Sequence, residues 1–217
     1  MAADEKMIWD RYANWESVSS SDDLSFVKQR ITGRKVGWWE KNQLPAGFED
    51  ALVKLGRDLS LAGQGGGTVL DFGCGLGRNV EFLRSRFSRV IGLDLPRMIE
   101  NLRKDPIGKS YDALYDDRSQ LVSSEDINVI YDSVVLQHIK DLEYNKDIVK
   151  DFNAMTNLRF IISLAGGWGV RAPQTLLLLK DAGWTEVFSV QDGETFRKPH
   201  MLTILKHPSV QVRQQKA

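Results

Sequence analysis

The run Val69-Leu70-Asp71-Phe72-Gly73-Cys74-Gly75-Leu76-Gly77 constrains this chain more than any other, because an apolar strand passes there directly into a glycine-spaced turn. Glycines at 73, 75 and 77 remove side chains where the backbone must turn sharply, and they let a ligand lie against the main chain. The pattern predicts a helix beginning near Arg78, whose first N–H groups have no intrahelical partner and suit a ligand carboxylate. Asp71, at the end of the strand, is placed to attract an ammonium group, directly or through water. A ligand with an amino acid moiety carries both charges.

A second strand, Val90-Ile91-Gly92-Leu93, ends in Asp94. That is where α/β nucleotide binders place an acid against ribose hydroxyls, about twenty residues after the turn. The competing reading of Asp94 is a helix cap ahead of Pro96. Taken together, strand, glycine turn, helix, strand and acid indicate a ribose-bearing ligand.

Further along, short apolar runs alternate with helical periodicity, which implies βαβ units and a parallel sheet. Strands are predicted over 68–72, 90–93, 128–133 and 159–164, and helices over 80–87, 98–104, 144–155 and 173–182. Two closing strands, over 185–191 and 201–206, are joined by a loop with no room for a helix, so they should run antiparallel. Residues 1–65 read differently, as a helical cap: they hold four of the six tryptophans (Trp9, Trp15, Trp38, Trp39) and helical patterns over 24–30 and 48–61, but no convincing strand. The core then occupies 66–206, and a polar, flexible tail is expected over 207–217. All of this is one compact domain, as suits 217 residues.

Composition narrows the partners. Lys plus Arg and Asp plus Glu balance at 29 each, so no net field draws the chain to phosphate backbones or anionic membrane, and no obligate nucleic acid partner is expected. One cysteine, Cys74, forms no internal disulfide, which suits a reducing compartment. The first residues lack the basic-then-apolar run of a secretory signal, and no stretch approaches the ~20 apolar residues of a membrane span. A cytoplasmic location follows as the expectation, with no metal site.

Dinucleotide turns favour G-x-G-x-x-G. Here position 78 is Arg, the third glycine comes one place early at Gly77, and the acid at Asp71 would repel a pyrophosphate. An acid followed by G-x-G-x-G resembles instead the signature of the class I methyltransferases, and the resemblance covers most of residues 68–206. It implies a Rossmann-like, seven-stranded, mostly parallel sheet with a C-terminal antiparallel hairpin, and S-adenosylmethionine (SAM) as cofactor, leaving as S-adenosylhomocysteine. In that family Asp71, Gly73, Cys74, Gly75 and Gly77 correspond to the cofactor turn, and Asp94 to the ribose acid, with Leu95 and Met98 near the adenine. Asp116-Asp117-Arg118 resembles the segment after the third strand that meets the adenine amino group, Asp117 by its side chain and Arg118 by its N–H. Asp132 and Ser133 resemble the end of the fourth strand, where the backbone passes the methionine part. Tyr12, in Trp9-Asp10-Arg11-Tyr12-Ala13, matches an opening helix that covers the cofactor; packing of Trp9 and Tyr12 in the core explains the same spacing.

On the acceptor side, His138 follows the fourth strand and would face the methyl group, as a general base if the acceptor must lose a proton. A role in the loop's structure is the plainer alternative. Trp168 and Arg171 follow the fifth strand, and His200 precedes the last, which makes them substrate-side candidates; a buried tryptophan and a solvated arginine are the plainer alternative. Arg34-Lys35 with Trp38-Trp39 suggests a lid. The expected activity is methyl transfer to a small molecule. A non-catalytic SAM binder that interacts with proteins, and less readily a nicotinamide-dependent oxidoreductase, are the alternatives. The acceptor, the atom methylated and the oligomeric state leave no motif.

Overall fold

Apolar runs of five residues, buried along their whole length, are the mark of strands covered on both faces. β1 (Thr68–Phe72) and β4 (Val129–Ser133) are buried at every position. The computed structural model describes residues 67–124, 126–166, 172–192 and 200–210, with backbone alone at 122–124, 166, 191–192 and 200. The expected cap over 1–65 with Tyr12, the pair Trp168 and Arg171, and the tail beyond 210 lie outside the described residues.

Seven strands form one sheet in the order β3-β2-β1-β4-β5-β7-β6. The others are β2 (Arg89–Leu93), β3 (Ala113–Tyr115), β5 (Phe160–Gly166), β6 (Thr185–Asp192) and β7 (His200–Lys206). Parallel pairing joins β1 to β2 and β4, β2 to β3, and β4 to β5. β7 runs antiparallel to both of its neighbours, β5 and β6. The closing strands are therefore antiparallel as expected, and the last strand enters between the fifth and sixth.

Helices α1 (Val80–Arg84), α2 (Pro96–Lys104), α3 (Ser119–Ser124), α4 (Leu142–Ala154) and α5 (Gln174–Asp181) cover the sheet. Residues alternate along each strand between its two faces. Val69, Val90 and Val129 pack with Val80 and Leu83 of α1 and with Ile99 and Leu102 of α2. Leu70, Ile91 and Ile130 pack on the other face with Ile148 and Phe152 of α4 and with Leu176 and Leu179 of α5.

Local differences from the sequence expectations have local causes. α1 ends at Arg84, two turns short of a typical helix, and the chain closes on Leu83 O through the N–H groups of Arg86 and Phe87. The chain also stays packed past the expected boundary at Lys206. The His207 N–H donates to Arg159 O at 2.8 Å, the His207 ring meets Trp184 edge-on at 4.7 Å, and Val210 is buried in the core. No helix among the described residues is long and apolar enough to cross a membrane.

One buried polar residue fixes the loop after β4 to the helical layer. Asn145, fully buried on α4, donates from Nδ2 to Ile139 O at 3.0 Å and to Asp141 O at 2.7 Å, and its Oδ1 accepts from Thr175 Oγ1 of α5. Replacing it leaves those groups buried without partners. Asn145→Ala is expected to cost about 2 to 4 kcal/mol of unfolding free energy by urea titration, the scale of several unsatisfied buried polar groups.

Candidate functional site

The glycine turn closes at the carboxyl end of the sheet, where β1 leads to β2 on one side and β4 leads to β5 on the other. Ligands of open α/β sheets bind at such a switch point. Gly73, Gly75 and Gly77 all take left-handed backbone, with φ of 72, 56 and 81°. At Gly73 a second constraint acts, since a Cβ there would come within 2.3 Å of Val135 Cγ2. The turn is strapped to β2: Gly73 and Cys74 donate their N–H groups to Leu93 O at 2.8 and 3.1 Å, and Gly75 donates to Asp94 Oδ2 at 2.7 Å.

Asp94 thus sits half-buried directly over the turn. Its other oxygen, Oδ1, accepts from the Leu95 N–H at 2.7 Å, so both proposed roles of this residue, helix entry and ligand acid, fall on one carboxylate. Each oxygen keeps a lone pair for a further donor. Burial pushes the carboxyl up to about 6, against the pull of the Gly75 and Leu95 N–H groups. Beside it Leu76, Leu95 and Met98 form a small apolar cluster of their own.

Asp71 is fully buried below the turn. Tyr111 OH donates to its Oδ2 at 2.7 Å and Asn79 Nδ2 to its Oδ1 at 3.4 Å, while Asn79 Oδ1 is itself buried with no partner. Burial lifts Asp71 to about 6 despite these bonds and the charge of Arg78. Cys74, also buried, has its thiol pushed up by burial and by the neighbouring charges of Asp94 and Asp71. Tyr111 and Asn79 were not singled out in the sequence; a tyrosine after a Pro-Ile-Gly turn carries no periodic signal, and only the 3-10 turn over Pro106–Ser110 brings it back to β1.

The end of β4 is wired just as closely. Asp132 Oδ1 accepts from the N–H groups of Val135 and Leu136 at 2.9 and 3.0 Å, and Oδ2 from Ser163 Oγ at 2.6 Å. Burial raises Asp132 to about 6 as well. Val134 between them adopts φ of 70°, a costly conformation for a β-branched residue. From the turn, Arg78 Nη2 donates to Ser133 Oγ at 2.9 Å and to Ser133 O at 3.4 Å.

The structure therefore gathers Asp71, Gly73, Cys74, Gly75, Gly77, Asp94, Leu95, Met98, Asp132 and Ser133 around one turn. Four other candidates make contacts of their own. Asp117 is exposed and caps α3, its Oδ1 accepting from the Ser119 N–H at 2.9 Å. Arg118 turns to α4, where it pairs with Asp151 and lies 4.8 Å from the Tyr144 ring centroid. His138 is exposed on the 3-10 turn after β4 (Leu136–His138), its Nε2 3.1 Å from Gln137 Nε2. His200 opens β7 opposite Gly166 and Asp192. No group of three His, Cys, Asp or Glu able to hold a metal occurs among the described residues.

A family model described as a methyltransferase domain matches residues 42–187. The chain belongs to the methyltransferase-domain family. Its sheet, with an antiparallel β7 between β5 and β6, is the class I form and differs from the 3-2-1-4-5-6 order of dinucleotide-binding domains, which disfavours the oxidoreductase alternative. Solved structures with the same fold include the N-methyltransferase NodS of Bradyrhizobium japonicum WM9 in complex with S-adenosylhomocysteine, at 19% identity, TM-score 0.55, covering 83% of this chain and 96% of that one. The magnesium protoporphyrin IX methyltransferase of Synechocystis PCC 6803 with bound SAM is similar at 16% identity and TM-score 0.55, covering 94% of this chain and 98% of that one. A third is the Burkholderia thailandensis 1,6-didemethyltoxoflavin-N1-methyltransferase, at 19% identity and TM-score 0.54, covering 84% and 85%. No curated protein matches the chain.

A buried acid raised to about 6 from an ordinary 3.8 favours its neutral form in the folded state. For Asp71 that stabilisation is complete below pH 3.8 and is lost as pH rises through about 6. The variant Asp71→Asn removes the buried charge and offers Asn79 Oδ1 a donor. Thermal or urea unfolding of the ligand-free protein should show the variant gaining about 1 to 3 kcal/mol relative to the parent between pH 4 and pH 7.5. An equal pH slope in both proteins would contradict the assignment.

Proposed function

We propose that this chain transfers the methyl group of SAM to a small-molecule acceptor. Family membership makes SAM the methyl donor, and the observation that carries the site reading is Asp94, whose carboxylate is held 2.7 Å from the Gly75 N–H with lone pairs to spare for ribose hydroxyls. The donor set fits the cofactor: three left-handed glycines leave the main chain bare, an apolar cluster at Leu76, Leu95 and Met98 suits a purine, and buried acids suit cationic centres.

When bound, SAM supplies a sulfonium, an already activated leaving group for in-line displacement. The chain's residues contribute alignment and exclusion of water. In this reading Asp94 orients the ribose. The ends of β1 and β4, with Asp71, Asp132 and Ser133 locked by their hydrogen bonds, hold the amino acid portion at fixed distance from the acceptor. Asp117 or its half-buried neighbour Asp116 meets the adenine amino group, with the Arg118 N–H beside it. Residues 1–65 with Tyr12 form the cap, and Trp168, Arg171 and His200 line the acceptor side. His138 takes the acceptor's proton where one must be lost.

Support for a small acceptor comes from the balanced charge of the chain and from the small molecules named for two relatives in fold, magnesium protoporphyrin IX and 1,6-didemethyltoxoflavin. The same charge balance and the single buried cysteine are compatible with action in a reducing compartment such as the cytoplasm.

Calorimetric titration tests the cofactor reading: S-adenosylhomocysteine and SAM should bind and NAD should not, and Asp94→Ala should weaken S-adenosylhomocysteine by about 1 to 3 kcal/mol, the range for leaving hydrogen-bond partners unpaired. For the acceptor, label from methyl-tritiated SAM incubated with the protein and a cell extract should appear in the low-molecular-weight fraction; label confined to protein or nucleic acid would overturn the small-molecule reading. Once an acceptor with a dissociable proton is in hand, His138→Ala should lower kcat about 100-fold or more. Normal turnover would remove His138 from the mechanism.

A further inference from the structure

Among the described residues Val134 is the one non-glycine with left-handed backbone, at φ of 70°. A β-branched residue suits that conformation poorly, whereas a glycine adopts it without strain. The cause lies in how β4 ends. Side chains alternate along a strand, so an extended continuation of β4 would put residue 134 on the face of Ile130, in the layer of α4 and α5. The left-handed turn passes that place to Val135, which packs against the same cluster and fills the space at Gly73. Val134 is displaced from it: half-buried, it joins none of the apolar clusters of the described residues.

Its backbone is fixed on both sides. The Val134 N–H donates to Leu164 O of β5 at 2.7 Å, and Asp132 takes the N–H groups of Val135 and Leu136 that follow. The residue therefore stands at the carboxyl ends of β4 and β5, beside the glycine turn of β1, in the crevice where open α/β sheets bind ligands. Strain held this firmly at such a place points to a side chain kept for what it meets in the crevice.

The sheet order indicates what that is. Asp94 follows β2 and in the SAM reading orients the ribose, while the ends of β1 and β4 hold the amino acid portion. Between β2 and β4 lie two strand spacings, about 10 Å. The cofactor's sulfur joins ribose to amino acid portion, so its third substituent, the alkyl group, falls between these two anchors and next to the residue that leaves β4.

We propose that Val134 forms the apolar wall of the pocket for the alkyl group on the cofactor's sulfur, and so sets the size of group that the site accepts: methyl fits and a larger alkyl does not. The left-handed backbone brings a β-branched side chain out of the core layer, and its hydrogen bonds keep that side chain from yielding. The assignment rests on the SAM reading above and adds to it the residue that limits the alkyl group.

The test uses the full chain and three ligands that differ only at sulfur: S-adenosylhomocysteine without an alkyl group, SAM with methyl, and S-adenosylethionine with ethyl. By calorimetry the parent should bind SAM about tenfold or more tighter than S-adenosylethionine, the scale of forcing one extra methylene into a filled space. Val134→Ala should shrink that preference to about threefold or less and Val134→Gly should abolish it, with S-adenosylhomocysteine within about twofold of the parent in both. Val134→Ile, equally β-branched but one methylene larger, should weaken SAM about fivefold or more and again spare S-adenosylhomocysteine. Retained binding of S-adenosylhomocysteine shows that the variants are folded. A preference unchanged in Val134→Ala or absent from the parent would overturn the proposal. Equal weakening of all three ligands would do the same, by making Val134 a part of the backbone brace alone. Failure of the parent to bind any of the three would instead defeat the SAM reading beneath it.

Discussion

Everything at the carboxyl end of this sheet is organised around the space that Gly73 leaves empty. Val135 fills it from the loop after β4, close enough that a methyl group on residue 73 would lie 2.3 Å from Val135 Cγ2. That contact locks the cofactor turn to the β4 loop. Asp132 holds the same loop from below through the Val135 and Leu136 N–H groups, and Asn145 holds its far end to α4. The left-handed Val134 is the local cost of the arrangement, of order 1 to 3 kcal/mol. Packing, capping and strain there act on one backbone segment, which is why neither the turn nor the loop can shift without the other.

Buried carboxylates add an electrostatic layer. Asp71 in β1, Asp132 in β4 and Asp94 just past the end of β2 sit at the ends of three adjacent strands, each pushed up to about 6 by burial. In the free protein they strain against ionisation at neutral pH. A ligand with cationic centres offsets that strain, so part of the binding free energy comes from relief of a cost already present in the fold.

Much of this was legible in the sequence, and the reasons differ by residue. Glycine spacing and strand-terminal acids are set by backbone geometry, so Asp71, Gly73, Gly75, Gly77 and Asp94 announce themselves in a linear pattern. Short apolar runs also located six of the seven strands; β3, of three half-buried residues, was placed only through the family resemblance. Tyr111 and Asn79 escaped notice because their role depends on a turn with no periodicity. Arg78 was visible only as a departure from the dinucleotide spacing, and its contact with Ser133 joins residues 55 apart. Asp117 enters through the resemblance as a ligand acid, and a capping aspartate and a binding aspartate present the same letter; that its Oδ1 also accepts from the Ser119 N–H is not readable from the sequence. Arg118 enters the same resemblance through its main-chain N–H, while its side chain pairs with Asp151.

The position of β7 has a consequence for how the chain is made. Residues 200–206 are synthesised after both of their partners, yet they form an interior strand, hydrogen-bonded to β5 on one side and β6 on the other. Until they emerge, β5 presents an open edge and β6 has no neighbour to join, so a nascent chain carries both strands incompletely paired from their synthesis until residues 200–206 follow. Such edges are templates for pairing with other molecules. The protein's exposure to aggregation is thus concentrated in the interval before β7 slides home, and a chain that ends before residue 200 never leaves it.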